Sequence, residues 1–196
     1  MGRKDLPPKD FHELVVLLEA NPNKVSAAVV TVGIRFLAMN FQKETGTKFA
    51  LVPYRGIAPA MQDLVAGQID LLFDSLRTSL PLIRAGSIRP YVVTGDTRLA
   101  VAPDIPTYAE MGFPALSYFE WIGLFAPRGT SSEIIDKLNA AAVDALADPK
   151  IRARIGEFGA EIFPHDQQRP EKLGALVKAD AKKWWPLIRE FGIRAE

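Results

Sequence analysis

Apolar residues of the first half fall into amphipathic stretches separated by short continuous apolar runs. They recur at helical spacing over 11–18, and Asn-Pro-Asn at 21–23 ends that predicted helix. The runs at 25–32 and 69–73 predict buried strands, because strands of a parallel sheet covered on both faces are apolar throughout. The same patterns predict further strands at 48–52 and 88–94, and helices at 36–43, 59–66 and 76–85.

The second half contains two Thr-x-x-Glu pairs, a pattern typical of helix starts. Thr107 with Glu110 predicts a short helix, and Thr130 with Glu133 predicts a longer one whose buried face carries Ile134 and Leu138. Further predictions are a helix that begins at Asp148-Pro149, includes Phe158 and ends at Gly159, a helix at 170–185, and strands at 119–126 and 161–163. Strands that alternate with helices predict an α/β fold with mostly parallel sheets.

Charge and composition exclude several classes of function. The chain has 24 Lys and Arg against 23 Asp and Glu, so it lacks the basic excess of nucleic-acid-binding proteins. The absence of cysteine excludes a thiolate zinc site and a cysteine nucleophile. Neither His12 nor His165 lies beside a nucleophile motif, and phosphate-binding and dinucleotide-binding glycine motifs are absent. We therefore expect no enzyme activity, no metal, no cofactor and no nucleic-acid partner.

The amino-terminal residues 1–8 lack the apolar core of a secretory signal. The longest apolar stretches are also far shorter than the roughly 20 residues that cross a bilayer. By this reasoning the chain is either cytosolic or has its true amino terminus outside this sequence.

Ligands of open α/β sheets bind beyond the carboxyl ends of the strands, where helix amino termini offer free amides and a positive dipole end. Three strand–helix junctions supply the candidate ligand-binding residues: Thr31, Val32 and Gly33, then Tyr54, then Asp74 and Ser75. Helix capping by Asp74 and Ser75, and core packing by Tyr54, are alternatives that the sequence leaves open.

Many short motifs occur in a fixed order along nearly the whole chain. They include Val-Pro-Tyr-Arg-Gly at 52–56, Gly-Gln-Ile-Asp at 67–70, Phe-Asp at 73–74, Pro-Asp-Ile-Pro-Thr at 103–107 and the run at 121–130. In these motifs the chain resembles the extracytoplasmic solute receptors of tripartite tricarboxylate transporters, the TctC-type or Bug family.

The resemblance implies an α/β periplasmic-binding-protein fold, a type II-like Venus flytrap that captures a small organic carboxylate between two lobes. It also implies periplasmic localisation and delivery of the ligand to transmembrane permease subunits. Only the latter two thirds of such a receptor align, which implies an amino-terminally truncated chain. Residues 1–118 would form one complete lobe, and residues 119–196 an incomplete lobe without its amino-terminal strands. Such a lobe exposes a sheet edge, so a homodimer is one expected consequence.

One ligand-gripping loop of the family aligns with residues 29–35. Thr31 and Gly33 keep its small, hydroxyl-bearing character, whereas Val29, Val30 and Ile34 do not. Arg35 is a candidate to compensate through a two-pronged contact with a carboxylate, and a solvated arginine is the alternative. Asp74 matches the acidic position that the family has at its cleft.

The alternative function is a cytosolic effector-binding module of a LysR-type transcriptional regulator. Such modules resemble this chain in length and flytrap architecture, and the missing signal sequence favours them. The long series of motif matches and the absence of a helix-turn-helix pattern favour the receptor.

Overall fold

The computed structural model describes residues 1–157 and 160–194, and every side chain in these ranges except that of Arg77. Contacts divide the chain into two units: Met1–Phe119 with Ile188–Glu196, and Glu120–Leu187. The assignment of residues 1–118 and 119–196 to two flytrap lobes stays a prediction. None of the described helices is both long enough and apolar enough to cross a membrane.

The first unit contains a five-stranded sheet with helices between its strands. The strands are β1 (Gly2–Arg3), β2 (Ser26–Val29), β3 (Ala50–Pro53), β4 (Leu71–Leu72) and β5 (Ile88–Arg89), and the helices are α1 (Phe11–Ala20), α2 (Val32–Thr45), α3 (Ile57–Val65) and α4 (Leu76–Arg84). The strand order is β3-β2-β4-β1-β5. Strand β2 is parallel to β3 and β4, and β1 is antiparallel to β4 and β5.

Both faces of this sheet are covered by apolar residues. Neighbouring residues on a strand point to opposite faces. Ala27 and Leu71 accordingly belong to one core cluster, with Phe11 and Phe41, while Ala28 and Leu72 belong to a second cluster on the other face. This explains the continuous apolar runs from which β2 and β4 were predicted.

Strand β1 was not predicted, because two residues have no periodicity to recognise. The Asp70 carboxylate holds it: Oδ1 accepts from Arg3 Nε at 2.8 Å, and Oδ2 accepts from the amide of Ser26 at 2.8 Å and from its hydroxyl at 3.0 Å. A Cβ on Gly2 would lie 2.8 Å from a Tyr91 ring carbon, so β1 fits between its neighbours only with glycine there. Asp70 therefore joins β1, β2 and β4.

The second unit consists of helices and irregular segments. Its helices are α5 (Ser132–Ala147), α6 (Pro149–Glu157) and most of α7 (Pro170–Glu190), with a 3₁₀ turn at His165–Gln167. None of its described residues is buried. On α7, Leu173, Val177 and Ala181 are half-buried.

The predictions for the second unit need three corrections. The structure has no strand at 119–126 or 161–163, and a strand forms only where a second strand pairs with it. The amino-terminal cap of α5 is Ser131 rather than Thr130, whose hydroxyl donates to the carbonyl of Pro127 instead. Ile134 and Leu138 were expected to be buried but are 50% and 54% exposed. Phe158 and Gly159 lie outside the described residues, so the predicted end of α6 stays a prediction.

Thr107 and Glu110 form their predicted reciprocal hydrogen bonds, but hydrogen-bonded turns rather than a helix follow them. The backbone amide of Thr107 is the main reason that the pKa of Glu110 is lowered, and the Arg98 guanidinium also lowers it. This capping pair is therefore a local turn motif.

Candidate functional site

The carboxyl ends of the three parallel strands lie side by side at one edge of the sheet in the first unit. Val29 of β2 pairs with Pro53 of β3, and Ala28 pairs with Leu72 of β4. Neighbouring strands are about 4.8 Å apart. The candidate residues Thr31, Tyr54 and Asp74 follow the ends of these strands within two residues, so the sheet brings all three junctions to the same edge.

Helices α2, α3 and α4 all begin at this edge. The backbone amides of Val32, Gly33, Ile57 and Ala58 donate no hydrogen bond to any described residue. Free amides at helix starts, together with the positive ends of the helix dipoles, form a ready site for an anion. The start of three helices at one edge of the sheet is the strongest feature of this site.

Thr31 is the amino-terminal cap of α2. Its Oγ1 accepts from the amide of Ile34 at 3.2 Å, and its carbonyl accepts from the amide of Arg35 at 2.9 Å. Gly33 lies in the first turn of α2, and the nearest atom to a Cβ built there is Thr31 Oγ1, 3.8 Å away. Thr31 therefore holds the loop, while Gly33 and the exposed Val32 leave its outer surface open.

Tyr54 is half-buried, and its hydroxyl donates to Asp63 Oδ2 at 2.6 Å. This hydrogen bond, with burial and the negative charge of Asp63, raises the pKa of Tyr54, so the phenol stays protonated at neutral pH. Because its proton is engaged, Tyr54 can present ring surface and oxygen lone pairs to a ligand. Asp63 was not among the candidate site residues chosen from the sequence, because nothing local to it shows that it pairs with Tyr54.

Asp74 Oδ2 accepts from the hydroxyls of Thr78 at 2.5 Å and Ser79 at 2.9 Å, and Ser79 is fully buried. The other oxygen, Oδ1, has no hydrogen-bond donor among the described residues. Ser75 occupies the cap position of α4, but its hydroxyl accepts no capping hydrogen bond. The hydroxyl of the exposed Ser75 and Oδ1 of Asp74 are therefore the groups at this junction that remain for a ligand.

Arg35 and Arg55 are the exposed cations nearest these junctions in sequence. Arg35 lies in the first turns of α2, and Arg55 precedes α3. Neither forms an ion pair with a described residue. Among the residues that the structure covers, no cluster of three or more His, Asp and Glu side chains is placed to hold a metal ion.

Comparison with known proteins identifies the family. Residues 1–193 match the tripartite tricarboxylate transporter family receptor. The chain belongs to this family. It is 35% identical over 194 residues to a UPF0065 protein of Agrobacterium vitis, found in the TAR-I ttuE-ttuC′ intergenic region, covering 98% of this chain and 56% of that protein.

Solved structures of receptors share this fold. The periplasmic binding protein BugD matches with a TM-score of 0.84 and 32% identity, covering all of this chain and 66% of BugD. MatC of Rhodopseudomonas palustris with bound malate matches with a TM-score of 0.82 and 33% identity, covering 95% of this chain and 64% of MatC. These matches confirm the resemblance to the Bug family and the periplasmic-binding-protein fold, and they favour the receptor over the regulator module. This receptor-family chain spans little more than half the length of the Agrobacterium protein.

Proposed function

We propose that this chain binds a small organic carboxylate at the carboxyl edge of β2, β3 and β4. The observation that carries the proposal is the convergence of three helix starts, with the free amides of Val32, Gly33, Ile57 and Ala58. Backbone amides at helix starts stabilise an anion without a dedicated cation. A carboxylate is the anion class of choice because MatC, a structural relative, was solved with malate.

The groups around the amides suggest separate roles. Thr31 and Gly33 would shape the loop that holds one carboxylate, and Arg35 would provide a charged fork next to it. Oδ1 of Asp74 would accept a hydrogen bond from a ligand hydroxyl, because an ionised carboxylate is an acceptor only. Tyr54 and Ser75 would form the wall between these two ends. A site with an anion-binding end and a hydrogen-bond acceptor at the other end fits a hydroxy-carboxylate better than an anion with no donor group.

The place of this binding in the cell follows from the family. Family membership supports a periplasmic receptor that delivers its solute to transmembrane permease subunits of a tripartite tricarboxylate-type transporter. The mechanism is closure around the ligand, driven by higher ligand affinity of the closed state, and it involves no covalent chemistry.

A residue-resolved titration tests the proposal. The isotope-labelled chain is titrated with malate while amide chemical shifts are recorded, a measurement that also detects weak binding. We expect saturable shifts concentrated at the starts of α2, α3 and α4. Malamide, which lacks the carboxylate charges, is the control ligand and should leave these amides unmoved. Shifts absent at the three helix starts, or found only in Glu120–Leu187, would contradict the proposal.

A further inference from the structure

A small cavity lies against α2 in the first unit. Its wall is formed by Leu37, Asn40, Phe73, Thr94, Tyr108 and Leu116. The space that the centre of a water molecule can reach there is about 10 Å³. Roughly 10–15 Å³ of such space is needed to hold one water, so the cavity has the size of a single water molecule.

Asn40 of α2 is a buried polar residue at this cavity, and it is only 3% exposed. Its side-chain oxygen Oδ1 is buried and has no hydrogen-bond partner among the described residues. Packing alone does not explain asparagine here, because Phe36, one turn earlier on the same face of α2, is buried and apolar. Buried side-chain oxygens are nearly always bonded to protein or to ordered water, since an unbonded one costs free energy. Asn40 therefore requires a donor that the described side chains do not supply.

Two hydroxyl-bearing residues, Tyr108 and Thr94, line the same cavity. Burial raises the pKa of the Tyr108 hydroxyl, without a contribution from any hydrogen bond to a described residue, so the hydroxyl stays protonated at neutral pH. The carbonyl of Thr94 accepts from the amide of Tyr118 at 2.9 Å, whereas its hydroxyl is not engaged by any described residue. Each hydroxyl can donate one hydrogen bond and accept others. The cavity thus brings together two unused hydroxyls and the unbonded oxygen of Asn40.

We propose that this cavity binds one ordered water molecule, which donates to Oδ1 of Asn40 and is hydrogen-bonded to the hydroxyls of Tyr108 and Thr94. A water both donates and accepts, so it can serve an amide oxygen and two hydroxyls together. Buried waters typically form about three hydrogen bonds to polar groups of the protein. No charged side chain lines the cavity, which excludes an ion as the occupant, and the space is too small for a larger molecule.

The water joins three segments of the first unit that are far apart in sequence. Asn40 belongs to α2, Thr94 follows β5, and Tyr108 lies in the turn that begins at Thr107. This position is separate from the proposed ligand site at the carboxyl edge of the sheet. Asn40 lies nine residues after Thr31 along α2, which is roughly 14 Å at 1.5 Å per residue. The water therefore stabilises the packing of α2 and does not contact the ligand.

Crystal structures of the unaltered chain and of Asn40→Leu, at a resolution that shows ordered waters, test the occupant. In the unaltered chain we expect one density peak in the cavity, about 2.7–3.2 Å from Oδ1 of Asn40 and from at least one of the two hydroxyls. Leucine is close to asparagine in size but has no hydrogen-bonding atom, so Asn40→Leu should lack the peak. A cavity without density in the unaltered chain, or a peak that persists in Asn40→Leu, would overturn the proposal.

Urea unfolding tests whether Asn40 and Tyr108 share the water. Asn40→Leu and Tyr108→Phe should each lower the urea midpoint, and the double variant should lose less than the sum of the two, because both changes disrupt the same water. Tyr91→Phe is the matched control, since Tyr91 is also buried but its hydroxyl donates to the carbonyl of Pro8 at 3.1 Å. Its effect should add to that of Asn40→Leu.

Two results of the unfolding experiment would reject the shared water. One is additive losses for Asn40→Leu and Tyr108→Phe, which would mean that the two side chains act independently. The other is a higher midpoint in Asn40→Leu than in the unaltered chain. Removal of a buried oxygen stabilises a protein only if that oxygen had no partner, so this result would show that no water bonds to Asn40.

Discussion

Three aspartates of the first unit have different partners, and the partners decide what each carboxylate can do. Asp63 accepts from Tyr54, and Asp70 accepts from Arg3 and Ser26, so both are used inside the protein. Asp74 engages Thr78 and Ser79 through Oδ2 alone. Its remaining oxygen lies where three parallel strands end, which makes Asp74 the acidic residue of this set suited to a ligand.

Asp74→Asn should weaken binding of a hydroxy-carboxylate such as malate more than binding of succinate, which has the same chain length without the hydroxyl. A hydrogen bond to a charged group contributes about 1.5–3 kcal/mol. The asparagine side chain has the same size as aspartate and keeps one oxygen that can accept from Ser79. Calorimetry or amide-shift titration with both ligands measures the difference. An equal change for malate and succinate would mean that Asp74 does not contact the hydroxyl.

Gly33→Ala should weaken carboxylate binding without loss of stability. A Cβ there has room within the protein, and alanine in place of glycine in a helix adds up to about 1 kcal/mol of stability. The added methyl group would stand beside the free amides that we assign to the ligand. Gly174→Ala in α7, where a Cβ would meet nothing within 4 Å, is the matched control for stability. Unchanged affinity in Gly33→Ala would place the ligand elsewhere.

At the scale of elements, the short strand β1 depends on contacts far away in sequence. Its two residues lie between β4 and β5, where Gly2 avoids the Tyr91 ring and Arg3 pairs with Asp70. Burial alone would raise the pKa of Asp70, but Arg3 and the amide and hydroxyl of Ser26 together lower it below the ordinary value. The charged form of Asp70 is therefore the one that stabilises the sheet.

Asp70→Asn should lower the free energy of unfolding at neutral pH by about 1–3 kcal/mol, since it removes the charged hydrogen bonds that the carboxylate accepts from Arg3 of β1 and Ser26 of β2. A lowered pKa in the folded state gives stability that is present above the unfolded pKa and is lost as pH falls through the folded pKa. The difference in unfolding free energy between Asp70→Asn and the unaltered chain should therefore shrink as the pH falls below 3.8, the ordinary pKa of an aspartate. Urea unfolding across pH measures it, and the exposed Asp104→Asn is the control. If the stability difference between the two proteins stays constant into strong acid, the ionised form of Asp70 is not what stabilises the sheet.

At the scale of the whole molecule, the two units differ in how much they bury. The first unit has buried residues on both faces of its sheet, including Phe11, Leu18, Leu64 and Leu72. The second unit has none among its described residues. Since few buried apolar contacts mean low local stability, the second unit should open more readily than the first.

Amide hydrogen exchange should therefore be faster in α5 and α6 than in β2 and β4. The reason is that α5 and α6 have only exposed or half-exposed side chains, whereas Ala27, Ala28 and Leu72 are fully buried. Exchange followed by mass spectrometry at low protein concentration measures both units in one sample. Equal protection would show that burial does not set the stability of the second unit.

The local sequence was sufficient to predict an element where the apolar pattern of that element agreed with what packs against it in the fold. The helices α1 and α4 were predicted close to their observed bounds, and β2, β3 and β4 were recognised, because both faces of the sheet are apolar. Predicted strands were too long, since residues at their ends lack a paired neighbour. Residues 119–126 had the composition of a strand, but a strand exists only where another strand pairs with it.

The sequence by itself determined the family, the α/β class and the three strand–helix junctions that contain Thr31, Tyr54 and Asp74, because motifs and periodicity are local. The tertiary structure decided which of these groups remain available. It paired Tyr54 with Asp63, engaged one oxygen of Asp74 and assigned Asp70 to the sheet. It also left residues 120–126 without a hydrogen-bonding neighbour among the described residues. Such partners lie far apart in sequence, so only the folded chain selects them.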